Sequence, residues 1–162
     1  MKHLLFLLLI PLLSFSQSYN DVMSINSLDT FKKVAIENGY EFDNNDDEWV
    51  SYGFDITKDS IEGNKAIKWM WYNVKDHRFT LRLSRTSTGL FGAKSIVDDS
   101  VYDLIIADIK EKCKYYKIIN YKDDDYVSYS CSDSSYKGKI GFMISEGEGW
   151  IRHFPPNAPT QD

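Results

Sequence analysis

Residues 46–54 read DDEWVSYGF and residues 123–131 read DDDYVSYSC, so an acidic run, an aromatic residue and Val-Ser-Tyr recur 77 positions apart. A repeat of that length restricts the fold strongly, because each copy must be one supersecondary unit that buries its apolar face on its neighbour. Each copy follows a helical pattern. Before the first, Ser27 can cap a segment whose Leu28, Phe31, Val34 and Ala35 share one face, and Gly39 stops it. Before the second, Ser95 and Asp98 have capping-box spacing, and VYDLIIADIKEKC sets Tyr102, Ile105, Ile106, Ile109 and Cys113 on one face. Short strands at 40–42 and 116–118 are expected to open the two sheets.

Side chains of a strand alternate between its faces, so the echo carries a register. In 49–56 the inward set is Val50, Tyr52, Phe54 and Ile56, with Trp49 and Ser51 outward; Val127, Tyr129 and Cys131 match it, with Tyr126 outward. The next strands put Ile67, Trp69 and Trp71 inward against Met70 and Tyr72, and Ile140, Phe142 and Ile144 inward against Met143. The last pair sets Phe79, Leu81 and Leu83 inward with Arg82 outward, and Trp150, Arg152 and Phe154 inward with Ile151 and His153 outward. An inward Arg152 needs an acid such as Asp108, or a bulge that turns it out. The expected fold is α+β: two tandem repeats, about 24–84 and 95–154, each one helix on an antiparallel sheet of three or four strands. Residues 85–94 link them within a single globular domain over 17–154.

The ends bound the compartment. MKHLLFLLLIPLLSFS has a basic Lys2, an apolar run over 4–13 and a small-residue ending, the layout of a signal peptide over 1–16 cleaved before Gln17. The run is too short to span a bilayer, so no transmembrane anchor is expected and the chain reads as periplasmic or secreted. Such a compartment permits a disulfide between the two cysteines, Cys113 and Cys131, which would staple the second helix to the strand beneath it. The net charge of −5 argues against nucleic acid and anionic membrane surfaces, both of which need basic clusters. The tail PPNAPTQD (155–162) is Pro-rich, polar and expected to be flexible.

Two tandem helix-plus-sheet units, an aromatic-rich sheet, export and a disulfide together resemble the β-lactamase inhibitor proteins. That resemblance implies an exported antagonist presenting a sheet face to a protein.

The motifs that would suggest catalysis or a cofactor fail on spacing. STGLFGAKS (87–95) sits between a strand and a helix, but Gly92 stands one position too early for a phosphate loop. The acidic runs 43–48 and 123–125 lack the glycine and glutamate positions of a calcium loop and read as turns. His77 and His153 have no recognisable nucleophile or base beside them. No metal or other cofactor is expected. What remains is the outward face, whose candidate partner-binding residues are Trp49, Met70, Tyr72, Arg82, Tyr126, Met143 and His153, types enriched at interface cores. The leading expectation is an exported, non-enzymatic protein-binding module of inhibitor or immunity type. A carrier of a small hydrophobic ligand or lipid is the first alternative, and a carboxylate-based hydrolase the second.

Overall fold

Capping decides where the first helices begin. α1 (Tyr19–Ser24) and α2 (Leu28–Glu37) each start on a capping box, Ser18 with Asp21 and Ser27 with Thr30. α2 ends in a Schellman turn: the Gly39 amide donates to Ile36 O and the Tyr40 amide to Ala35 O, with Gly39 at φ 76°. Phe31, Val34 and Ala35 form its buried stripe as expected, whereas α1 had no place in the sequence reading. The computed structural model describes residues 17–61, 63–84, 86–88, 94–96, 100–132 and 134–156. The expected signal peptide over 1–16, residues 85 and 89–93 of the expected linker, and the expected tail from 157 lie outside them.

Eight strands form one antiparallel sheet. They are β1 (Glu41–Asn45), β2 (Trp49–Phe54), β3 (Lys68–Asn73), β4 (Phe79–Ser84), β7 (Lys114–Tyr121), β8 (Asp124–Ser130), β9 (Lys139–Ser145) and β10 (Glu148–Phe154). Their order is β1-β2-β3-β4-β10-β9-β8-β7, so two four-stranded meanders meet at the β4·β10 seam. The turns of the second meander are tight. Lys122-Asp123 and Glu146-Gly147 each place two residues at positive φ, the geometry that matches the twist of a hairpin. The stretch expected as a linker contributes strands of its own, β5 (Thr86–Thr88) paired with β6 (Lys94–Ile96). Ser95 therefore lies in a strand and does not cap α3 (Ser100–Lys112). The class is α+β, as the sequence suggests.

The core lies between the three helices of the described residues and one face of the sheet. It joins Val22, Phe31, Val34, Tyr102, Ile105 and Ile109 to Val50, Tyr52, Phe79, Leu81, Ile140, Phe142 and Ile151. Phe31 is its aromatic centre, stacked on Tyr72 at 5.4 Å and edge-on to Tyr52 at 5.7 Å. α3 docks over Gly149, where a Cβ would lie 2.5 Å from the Tyr102 ring, and the Tyr102 hydroxyl donates to Met143 O at 3.0 Å. The Cys113–Cys131 disulfide ties the end of α3 to the end of β8, as expected from the paired positions. Among the described residues, no helix is long and apolar enough to cross a membrane.

Two strands face the other way from the sequence reading. Met70 pairs with Tyr52 and Leu81, and Tyr72 with Val50 and Phe79, so both belong to the core and Trp69 and Trp71 face outward. Ile151 pairs with Leu81 and Phe142, which turns Ile151 and His153 inward and Trp150 and Arg152 outward. Direct cross-strand partners share a face, so once Tyr52 and Leu81 are inward Met70 must be too. Arg152 needs neither Asp108 nor a bulge, because its whole strand is shifted by one position.

Candidate functional site

Among the described residues every helix packs on one face of the sheet, and the opposite, helix-free face carries all four tryptophans, Trp49, Trp69, Trp71 and Trp150. Their positions follow from the pairings. One row of partners crosses the sheet from Asn44 through Ser51, Trp71 and Thr80 to Arg152, then on to Gly141, Ser128 and Lys117. Short side chains at Ser51 and Thr80 leave a trough between tall neighbours. It opens as a hollow of about 470 Å³ walled by Trp49, Trp71 and Trp150, with Arg152 at one end and Asp43, Asn44 and Asp46 at the other.

Stacking holds the walls. Trp71 lies nearly parallel to Trp69 (centroids 5.7 Å apart) and to Trp150 (6.1 Å). Arg82 sits over Trp71 and Trp150 at 5.8 and 6.0 Å, and its guanidinium is held by Glu148 at 3.2 Å. At the acidic end the carboxylates are engaged. The Ser51 hydroxyl donates to Asp43 at 2.8 Å and Asn64 Nδ2 donates to it at 2.7 Å. Asp46 accepts from the Trp49 and Glu48 amides at 2.7 and 2.8 Å, which keeps its pKa below the ordinary carboxylate value. Asp46 is thus the turn residue the sequence suggests. Among the described residues, no group of three metal-ligating side chains is placed to hold an ion.

The basic end is different. The Arg152 guanidinium lies over Tyr121 at 4.3 Å and Tyr126 at 5.4 Å, and among the described residues it has no carboxylate partner. Its Nε and the neighbouring Thr80 Oγ1 are sealed from solvent without a hydrogen-bond partner. Thr80 is only 2 % exposed. An unmet buried donor of this kind costs roughly 1–3 kcal/mol, so two side by side on a groove floor demand an explanation.

No family model, curated protein or solved structure matches the chain.

Of the residues expected to contact a partner, Trp49 and Arg82 lie at the groove or its wall and Met143 is half-buried beside Trp150 on the same face. Tyr126 is on that face but 1 % exposed, packed under Phe154 with Ile119. Burial pushes its phenol pKa up, with the Arg152 charge pulling the other way. Met70, Tyr72 and His153 belong to the interior and are 0–1 % exposed, which removes them from any contact surface. His153 stacks on Tyr136 at 3.9 Å, and burial lowers its pKa to about 3. The residues missed were Trp71, Trp150 and Arg152, whereas Thr80 lies on the outward face as the alternation of its strand suggests. Two signals pointed to them. A Glu146-Gly147 two-residue turn sets Trp150 opposite Met143, and a charge at Arg152 is cheaper on an open face than in a core.

Proposed function

We propose that this chain is an exported, non-enzymatic binding module that holds a protein partner on the helix-free face of its sheet. The observation that carries the reading is the collection of all four tryptophans on that face, three of them walling an open groove. Aromatic and arginine side chains supply most of the energy of protein interfaces, because they bring large area with few rotamers. Trp49, Trp71 and Trp150 are the anchors, and Arg82 and Arg152 set orientation. The signal-peptide pattern and the Cys113–Cys131 disulfide support export. The two meanders mirrored about β4·β10, each preceded by a helix, support the tandem-repeat reading, and with it the likeness to inhibitor proteins that act by steric occlusion.

The test is affinity capture from the envelope of the source cell, comparing the folded protein with a Trp49→Ala/Trp150→Ala variant. The expected result is a partner bound by the first and lost from the second, with Tm lowered by only a few degrees. Equal capture by both would refute the assignment of this face. A second reading, a small ring-shaped ligand in the groove, is favoured by its volume of about 470 Å³, within the usual range for such pockets. Native mass spectrometry of protein purified from its source would show the bound mass.

A further inference from the structure

The groove is asymmetric. The carboxylates at one end are engaged by Ser51, Asn64 and turn amides, whereas the donors at the other end, Thr80 Oγ1 and Arg152 Nε, have no acceptor. We propose that Thr80 and Arg152 form an acid-recognising subsite, which takes the carboxylate of an Asp or Glu side chain on a peptide segment of the protein partner. This rests on the sheet-face reading above and specifies its chemistry.

Three observations select that occupant. First, charge: one arginine without a counter-ion among the described residues matches a singly charged carboxylate, and the carboxylates Asp43 and Asp46 at the far end of the groove together with a net charge of −5 disfavour a phosphate or polyanion. Second, geometry: Thr80 and Arg152 are direct cross-strand partners on neighbouring strands, so one carboxylate entering between Trp71 and Arg152 reaches both donors when the guanidinium lifts from Tyr121. Third, β2, β3, β4 and β10, which carry Trp49, Trp71, Thr80 and Arg152, are each paired on both sides, so at the subsite the backbone offers no ladder to an added strand and recognition must come through side chains. Trp71 and Arg152 stand two strands apart, about 10 Å at ordinary strand spacing. An extended peptide therefore places an apolar or aromatic residue on Trp71 two or three positions from its acid.

The probe is a random heptapeptide library displayed on phage, selected on the folded protein. The expected consensus is an Asp or Glu two or three positions from an apolar residue. Bound synthetic peptides should shift the Trp71 and Trp150 indole N–H signals in NMR spectra, assigned by single Trp→Phe variants. Arg152→Gln should weaken them at least tenfold, Thr80→Val severalfold, and exposed Lys110→Gln not at all; folding of each is checked by circular dichroism. A neutral or basic consensus at the groove overturns the acid subsite while leaving the face reading intact. Peptides that bind without moving the Trp71 and Trp150 signals overturn the face reading itself. No enrichment at all also counts against the subsite.

Discussion

On the helix-free face the meander of β1–β4 leaves a groove open, while the meander of β7–β10 fills its own. The filling residue is Phe154. Its ring lies over Gly141, where a Cβ would come within 2.7 Å of it, and it packs edge-on against Tyr126 at 5.4 Å and Tyr121 at 6.2 Å. Arg152 and Arg78 close the top by lying on Tyr121 at 4.3 and 5.0 Å. In the first meander the position matching Gly141 is held by Trp71, since Tyr52 pairs with Met70 as Tyr129 pairs with Ile140. The two meanders thus present two different surfaces. A glycine accepts a folded-over aromatic and seals the sheet; a tryptophan stands up, stacks on its neighbours and leaves Ser51 and Thr80 in a hollow.

The largest effect should come from breaking the sealed half. Phe154 is 2 % exposed, and Phe154→Ala is expected to cost about 3–5 kcal/mol, as for other buried aromatic truncations. Trp71→Ala, on a half-buried ring of the open half, should cost less than half of that. Urea unfolding of the two variants checks the contrast; equal losses would mean that the groove wall is as structural as the filled side.

The halves also differ in what holds the residue that follows each helix. Cys113 follows α3 and bonds to Cys131, separated by 18 residues, whereas Asn38 follows α2 and donates its side chain to Val34 O at 3.0 Å. Replacing both cysteines by serine should remove about 3 kcal/mol, the loop-entropy value for that separation. Asn38→Ala should remove about 1 kcal/mol, the usual worth of one hydrogen bond. Denaturant midpoints under oxidising and reducing conditions separate the two, and the Asn38 variant should be indifferent to reductant.

On the inner face the contrast is Leu81 against His153, the partners of Met70 and Ile140 respectively. His153 is neutral when folded because burial lowers its pKa from 6.5 to about 3. The unfolded chain binds a proton there below pH 6.5 and the native state does not, so its contribution is intact above pH 6.5 and is lost as pH falls toward 3. The slope is about 1.4 kcal/mol per pH unit for one proton. His153→Leu, which makes the second half like the first, should flatten stability between pH 6 and pH 4 relative to the unaltered protein. An unchanged pH profile would place the acid sensitivity elsewhere.

How much of this was legible depends on where pattern alone decides. The stripe Phe31, Val34 and Ala35 and the stop at Gly39 are local, and the structure has them as read. So is the start of β2 and β8, where one apolar set alternates with polar residues. β3 reads KWMWYN, apolar on both faces, so alternation cannot say which face is inward and only the pairing partners decide. That single ambiguity sent Met70 and Tyr72 to the surface and kept Trp71 in the core. In β10 the information was present in the charge of Arg152 and the length of the turn before it. α1 and the β5·β6 pair are too short for periodicity to reveal.

The smallest effect is the most diagnostic of the open half. Thr80 and Arg152 face each other across the seam where the two meanders meet, one from each. Thr80→Val keeps shape and strand preference while removing a buried hydroxyl that has no partner. The unbound protein should therefore be unchanged or stabilised by up to about 1 kcal/mol, because a desolvated group is lost without a lost hydrogen bond. Ser51→Ala, which removes a hydroxyl that donates to Asp43 at 2.8 Å, should destabilise by a similar amount. Thermal unfolding of the two variants reads the signs directly. A loss of stability at Thr80 would show that its hydroxyl is already satisfied in the unbound protein, and the groove floor would then hold no unmet donor for a partner to complete.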